Sequence, residues 1–359
     1  MHRQRNRLRI FLLFVGMICA GPQLATSQVT PLTYISLTPN PAVHESLTPS
    51  TVRARVAEAV EAGMTYLYVA QTWNALEPQP GVYNFAEVDF HIELAAQYNL
   101  PVVFNLRLVD TNQRGMPGDV ASRPFHEVYT LERLWMLFIH LVPRLQGRAP
   151  LMLLGNEIDA YFSQRTQEVQ SFRSLLVTAT RWLKLLAPGM QVSASVTIEG
   201  LPLLGTLLKP VAEVTDFLAL TYYPSNPDYT MRHPESVHTD FDRILAAAGN
   251  KKVLLQEVGY ATSALNNSSN EQQAEFLFNV FVNLIVHAER FWGAHFFLRS
   301  DLSSELVELF ATYYGIPQDE PFKAYLRTLG LFDARGVPKP GWDIFRALAP
   351  YMRDARTVR

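Results

Sequence analysis

Two stretches of this chain run an apolar segment into an acid. "LMLLGNE" (151–157) carries four apolar residues into Gly155, Asn156 and Glu157, and "VLLQE" (253–257) stops at Glu257. The two glutamates are 100 residues apart in sequence. Short apolar runs of this kind suit strands buried on both faces. A carboxylate at the tip of such a strand has left the core for a place where it can act. Alone, a strand-end glutamate is more often a solvated loop residue or an ion-pair partner. Two of them, on two different strands, form a pair whose mutual repulsion and unequal surroundings drive their pKa values apart. One can then give a proton while the other stays ionised and attacks carbon. That division of labour suits cleavage of a glycosidic bond, with retention at a separation of about 5–5.5 Å and inversion at about 6.5–9.5 Å.

The elements that must bring the acids together are short apolar runs alternating with helical patterns. Strands are expected at 33–38, 65–70, 101–107, 151–155, 191–196, 216–222, 252–257 and 293–298. Helices are expected at 49–63, 86–99, 130–145, 166–189, 270–291 and 340–352, with one short helix in 200–215. The Thr/Ser-rich entry to the first and Gly63 at its end are start and stop signals. Eight strands joined by crossovers in about 330 residues fit an α/β fold, a (β/α)8 TIM barrel, as a single catalytic domain over 28–359. A doubly wound sheet usually carries a Gly-rich turn after strand one, and "LTPNPAVHES" (37–46) has none. In a barrel, active groups sit at the C-terminal strand ends. Glu157 falls just past strand four and Glu257 at the end of strand seven, so both face one mouth.

At this point the chain resembles the glycoside hydrolases of clan A, retaining (β/α)8 enzymes with the acid/base on strand four and the nucleophile on strand seven. "GNE" (155–157) resembles the strand-four motif and "QEVGY" (256–260) the strand-seven motif. The resemblance implies Glu157 as proton donor and Glu257 as nucleophile, with Asn156 bonded to the sugar's 2-OH and to the nucleophile. "WNALEPQPGVYNF" (73–85) looks like the loop after strand two in several clan families, "LALTYYP" (218–224) like the end of strand six, and "GLFDARGVPKPGW" (330–342) like the closing segment. "GNEI", "TYYP" and "QEVGY" are similar to endo-β-1,4-galactanases, whereas loop 73–85 is similar to cellulase-like and xylosidase-like members. Two departures stand out: "LALTYYP" lacks the strand-six histidine common in cellulase-like members, and Trp292 lies at the start of strand eight rather than its tip.

Further residues are candidates for substrate binding. Arg107 ends strand three, where it either donates to the nucleophile region and keeps Glu257 ionised or makes a structural pair with Asp110. Tyr222 and Tyr223 end strand six; alternation sends one to the mouth and one to the wall, and Tyr222 is taken as the mouth residue. Trp73 either stacks on a sugar face or braces its loop, with bracing slightly favoured. His295 reads as a satisfied core or rim histidine. His126, His233 and His238 lack metal spacing, and neither HExxH nor an EF-hand loop occurs, so no metal and no cofactor is assigned. The pair Trp135 and Phe138, at helical spacing, reads as core packing. A non-catalytic saccharide-binding barrel and a transglycosylase using the same residues are the alternatives.

Composition bounds the partners and the compartment. Four arginines precede the apolar run "IFLLFVGMICA", and "ATS" (25–27) supplies small residues at a cleavage position. This is the layout of a secretory signal peptide over 1–27, which implies a secreted or periplasmic protein. The run is too short to span a membrane, which takes about 20 apolar residues. Cys19, the only cysteine, would leave with the leader, so the mature chain would have no disulfide. Loss of the four leader arginines would take the net charge from −2 to −6. A mildly acidic chain without a basic stripe fits neither nucleic acid nor anionic membrane surfaces; a neutral carbohydrate suits it better.

Overall fold

The computed structural model describes residues 34–145 and 147–354. The leader expected over 1–27, with Cys19, lies outside the described residues. Eight parallel strands follow in chain order: β1 Tyr34–Leu37, β2 Leu67–Thr72, β3 Val102–Arg107, β4 Leu151–Leu153, β5 in two pieces (Gln191–Ser193 and Ser195–Thr197), β6 Leu218–Tyr222, β7 Val253–Val258 and β8 Phe291–Phe296. They form two ladders. One runs from β2 through β3 and β4 to the first piece of β5, and the other from the second piece of β5 through β6, β7 and β8 to β1.

The ladders meet at two seams. At the break in β5, Leu154 N–H donates to Ser193 O (2.8 Å) and Ser195 N–H to Gly155 O (3.1 Å). Ser193 Oγ also donates to Phe217 O (2.7 Å), so serine hydroxyls help to bridge where the strand bends. The sequence suggested one unbroken strand here. Between β1 and β2, the N–H groups of Thr65 and Tyr66 donate to Ile35 O (2.7 and 3.3 Å), and Ile35 N–H donates to Thr65 Oγ1 (2.8 Å).

Alternation along the strands sorts side chains into two cores. Tyr34, Tyr66, Val103, Leu151, Leu153, Phe217, Ala219 and Leu254 pack together inside the barrel. Their neighbours in sequence, such as Ile35, Leu67, Phe104, Met152, Leu220 and Leu255, pack outward in the larger core. Toward the C-terminal ends the inner face turns polar. Tyr68 OH and Asn105 Nδ2 both donate to Gln256 Oε1 (3.1 and 3.0 Å). His295 sits between Ser36 Oγ (3.0 Å) and Thr38 Oγ1 (2.8 Å), stacked on Tyr68. It is a satisfied core histidine, and burial pushes its pKa down to about 3.

The helices used below are α1 Pro49–Glu61, α2 Ala86–Gln97, α3 Val128–Leu141, α4 Val169–Leu186, α5 Lys209–Ala212, α6 Ser236–Ala248, α7 Asn270–Val286, α8 Ser304–Tyr313, α9 Glu320–Arg327 and α10 Pro340–Asp354. Thr48 caps α1 by accepting from Thr51 N–H, and Gly63 stops the chain just beyond it at φ 107°. Trp135 and Phe138 of α3 are buried. Three of these helices were not anticipated. α6 buries Val237, Phe241, Ile244 and Ala248, a helical spacing obscured by its polar, Pro-preceded start. α8 and α9 lie in the excursion between β8 and α10, where no strand-to-strand crossover demands a helix. Each begins with a side-chain cap, Ser303 and Asp319. Among the described residues no helix is long and apolar enough to cross a membrane.

Candidate active site

Glu257 reaches the mouth because β7 breaks its alternation. The register with β6 runs Leu255 opposite Leu220, then Glu257 opposite Thr221, which leaves Gln256 as an extra residue. Such a bulge re-aims side chains. Gln256 stays inside the barrel while Glu257, which strict alternation would send outward, turns to the mouth. Tyr223 OH donates to Glu257 Oε2 (2.8 Å). Gln256 Nε2 donates to Oε1 (3.3 Å), and Arg107 Nη2 lies 3.5 Å from Oε1. Burial raises the Glu257 pKa, while the Arg107 charge and the Tyr223 hydroxyl oppose the rise.

Glu157 is placed by a sharp turn. Gly155 has φ 150°, and a Cβ there would meet Ile158 Cγ2 at 2.8 Å, so glycine is required. Glu157 itself stands in the left-handed region at φ 47° and ψ 47°, a conformation that costs a non-glycine residue about 1–3 kcal/mol and persists only where its surroundings enforce it. They do so here. Glu157 N–H donates to Ser195 Oγ (3.2 Å), Thr111 Oγ1 donates to Oε2 (2.8 Å) and Thr221 Oγ1 to Oε1 (2.8 Å). Burial first, and then the charge of Glu257, raise the Glu157 pKa to about 7.

A hairpin after β3, Val109–Asp110 against Gln113–Arg114, locks the β4 tip. Asn156 N–H donates to Val109 O (2.9 Å) and Thr111 N–H to Asn156 O (3.0 Å). The Asn156 side chain donates to Asp110 Oδ1 (3.2 Å) and accepts from Gln256 Nε2 (2.7 Å). It therefore meets the nucleophile side through Gln256, where the resemblance implied a direct bond. Arg107 combines both readings offered for it, with Nη1 3.3 Å from Asp110 Oδ1 and Nη2 on Glu257.

Two expectations are corrected. Tyr222 does not face the mouth. It is fully buried against the helix layer, with its hydroxyl donating to Asp240 Oδ2 of α6 (2.9 Å). Tyr223 takes the mouth position, because Phe217, Ala219 and Thr221 already set the inward parity of β6. Trp73 cannot stack on a sugar. It is 0 % exposed and donates from Nε1 to Glu77 Oε2 (2.7 Å). Glu77, also buried, accepts from Gly81 N–H (2.7 Å) and pairs with Arg133 Nη2 (2.8 Å). The loop 73–85 is thus braced around a buried acid.

The sequence reading missed what covers the mouth. Tyr313, at the end of α8, donates from its hydroxyl to Asp110 Oδ2 (3.0 Å). Tyr314 follows it and lies against Thr111. Tyr325 of α9 packs edge-on against Tyr223, with ring centroids 5.9 Å apart, and Tyr229 lies 5.8 Å from Tyr325. Phe297, directly after β8, sets its ring edge-on to Tyr223 at 6.3 Å. Phe297 is therefore the apolar ring at the β8 tip, whereas Trp292 stays at the strand's start beneath the Lys252 ammonium. Asn266 holds the cover down by donating to Tyr229 O and Pro321 O (both 2.9 Å). These tyrosines come from the excursion after β8 and the loop after β6, whose meeting no local pattern announces. Among the described residues no group of three or more His, Cys, Asp or Glu side chains could hold a metal ion.

No family profile and no curated protein matches the sequence. Solved structures do match. A GH5_18 protein from Bifidobacterium longum subsp. infantis is 18 % identical, with 90 % of this chain and 80 % of that chain covered, at a TM-score of 0.66. A GH5_18 variant from Streptomyces cattleya, in complex with Manβ1-4GlcNAc, is 17 % identical over 92 % of this chain and 82 % of that one, at a TM-score of 0.68. An exo-β-1,4-mannosidase from Opitutaceae bacterium strain TAV5 is 14 % identical over 91 % and 61 %, at a TM-score of 0.69. At these identities the likeness establishes the fold, the (β/α)8 barrel expected from the sequence.

Proposed function

We propose that the protein is a retaining β-glycosidase acting on a β-linked oligo- or polysaccharide, with Glu157 as acid/base and Glu257 as nucleophile. The observation that carries this reading is the division between two carboxylates at one mouth. Burial and the neighbouring charge push Glu157 up to about 7, which suits a proton donor near neutral pH. Glu257 has Arg107, Tyr223 and Gln256 on its oxygens, which favours the ionised form that attacks.

In the first step a Glu257 oxygen bonds to the anomeric carbon while Glu157 gives its proton to the glycosidic oxygen, and the C1–O bond to the leaving group breaks. In the second step ionised Glu157 takes a proton from water, whose oxygen bonds to C1 as the ester to Glu257 breaks. The two steps need only these carboxylates and water. Phe297 offers a ring face to the sugar bound beside Glu257. The aromatic cover over the mouth favours a closed pocket and exo action over an open groove. The Manβ1-4GlcNAc complex and the exo-β-1,4-mannosidase among the neighbours make β-1,4-mannosides the first substrates to try. With its leader, the protein is proposed to act outside the cytoplasm, secreted or periplasmic.

The test is a panel of 4-nitrophenyl β-glycosides and β-linked disaccharides that includes Manβ1-4GlcNAc, with NMR of the anomer first released. Turnover with retention, lost in both Glu157→Gln and Glu257→Gln, is the expected result. Binding without turnover across the panel would replace the enzyme by a saccharide-binding barrel. Product formation only at high acceptor concentration would make it a transglycosylase.

A further inference from the structure

Each oxygen of Glu157 meets one hydroxyl. Thr221 Oγ1 donates to Oε1 and Thr111 Oγ1 to Oε2, both at 2.8 Å. The donors come from separate elements, Thr221 from β6 and Thr111 from the hairpin after β3. Thr221 is 1 % exposed, deep at the base of the site. Thr111 stands at φ 54°, a left-handed conformation that β-branched residues avoid. It is held there by its N–H bond to Asn156 O. A side chain kept at such a backbone angle, with its hydroxyl aimed at a candidate catalytic oxygen, calls for a role.

We propose that Thr111 and Thr221 are positioning residues, a two-hydroxyl clamp that fixes the Glu157 carboxyl and stabilises the carboxylate left as its proton departs in the first chemical step. This deepens the glycosidase reading and rests on it for the role of Glu157. The ionisable groups facing Glu157 are Glu257 of β7, Asp159 of the short helix Ile158–Ser163 that follows it, Tyr223 at the end of β6, and Tyr314 and Tyr325 of the cover. All of these are acids, so any charge on them favours protonated Glu157, as burial does, while Arg107, the cation at the mouth, lies against Asp110 and Glu257. The two hydroxyls act the other way and favour the carboxylate. Without them Glu157 would hold its proton more tightly in the first step, where it must pass it to the glycosidic oxygen, and would be the stronger base in the second.

The test needs no substrate. The protein is labelled with 13C at the glutamate side-chain carboxyl, and the Glu157 resonance is assigned by its loss in Glu157→Gln. Its titration midpoint is then followed in Thr111→Val, Thr221→Val and Thr111→Ser. Valine keeps the shape and removes the donor. A hydrogen bond to a charged group, lost at either position, should raise the midpoint by about one pH unit, and serine should restore it. An unchanged or lowered midpoint in a folded valine variant, with the other glutamate resonances in place, overturns the clamp. If Thr221→Val fails to fold, Thr111→Val decides alone. The glycoside panel judges the enzymatic reading separately, so a failure of one is not mistaken for a failure of the other.

Discussion

Replacing Tyr223 by phenylalanine tests the nucleophile's surroundings most directly. The substitution removes one 2.8 Å hydrogen bond to Glu257 Oε2 and little else, because the ring stays packed between Tyr325 and Phe297. A bond to a charged acceptor is worth about 1.5–3 kcal/mol. At 1.36 kcal/mol per pKa unit this corresponds to a rise of about 1–2 units in Glu257. Arg107 and Gln256 still hold Oε1, so the lower end, about one unit, is expected. Glu257 must be ionised to attack, and its pKa sets the acidic limb of kcat/KM against pH. Losing a donor to the ionised form moves that limb to higher pH, so that kcat/KM falls about tenfold below the limb and far less on the plateau. The assay is the pH dependence of kcat/KM on the best aryl glycoside from the panel. Tyr222→Phe is the control, since its hydroxyl faces Asp240 and not the mouth. An acidic limb that stays put in Tyr223→Phe, or moves equally in both variants, would refute the reasoning.

Further outcomes can be measured alongside. Tyr222→Phe should lower stability by about 1–2 kcal/mol, read by urea unfolding, with the pH profile intact. Trp73→Ala should cost about 3–5 kcal/mol of stability as a fully buried ring is lost, while KM of the folded fraction stays unchanged; a raised KM would return Trp73 to the sugar. Glu157→Gln should be more stable than the parent at neutral pH. The parent's Glu157 has a folded-state pKa near 7 against an ordinary value of 4.5, so its folded state loses stability as pH rises through that window. The gain is about 1–3 kcal/mol above pH 7 and vanishes below about pH 4.5, which thermal unfolding at pH 4 and pH 8 will show.

The barrel and both acids were legible because their signals are local. Apolar runs ending in "GNE" and "QE" mark strand tips, and the helix signals around 49–63 and 270–286 are caps and periodicity. Tyr223 was legible too, from the inward parity of Phe217, Ala219 and Thr221, but the two adjacent tyrosines were assigned without that count. Trp73 stayed open between stacking and bracing because an aromatic in a polar loop gives no sign of a buried glutamate four residues on. The bulge at Gln256 could not be read from β7 alone, since it is a property of the register with β6. Thr111, Tyr313, Tyr314 and Tyr325 depend on how a hairpin and an excursion some 200 residues later come to lie together, and no spacing in the sequence encodes that.

One short segment touches both acids: Arg107 reaches Glu257, Asp110 receives Asn156 and Tyr313, and Thr111 reaches Glu157. The interval between the attacking oxygen and the proton is therefore gauged by five consecutive residues, rather than left to the agreement of two distant strands. When the barrel breathes, both acids stay tied to the same short segment, and an insertion within 107–111 would detune the pair as a unit before it unsettled the fold.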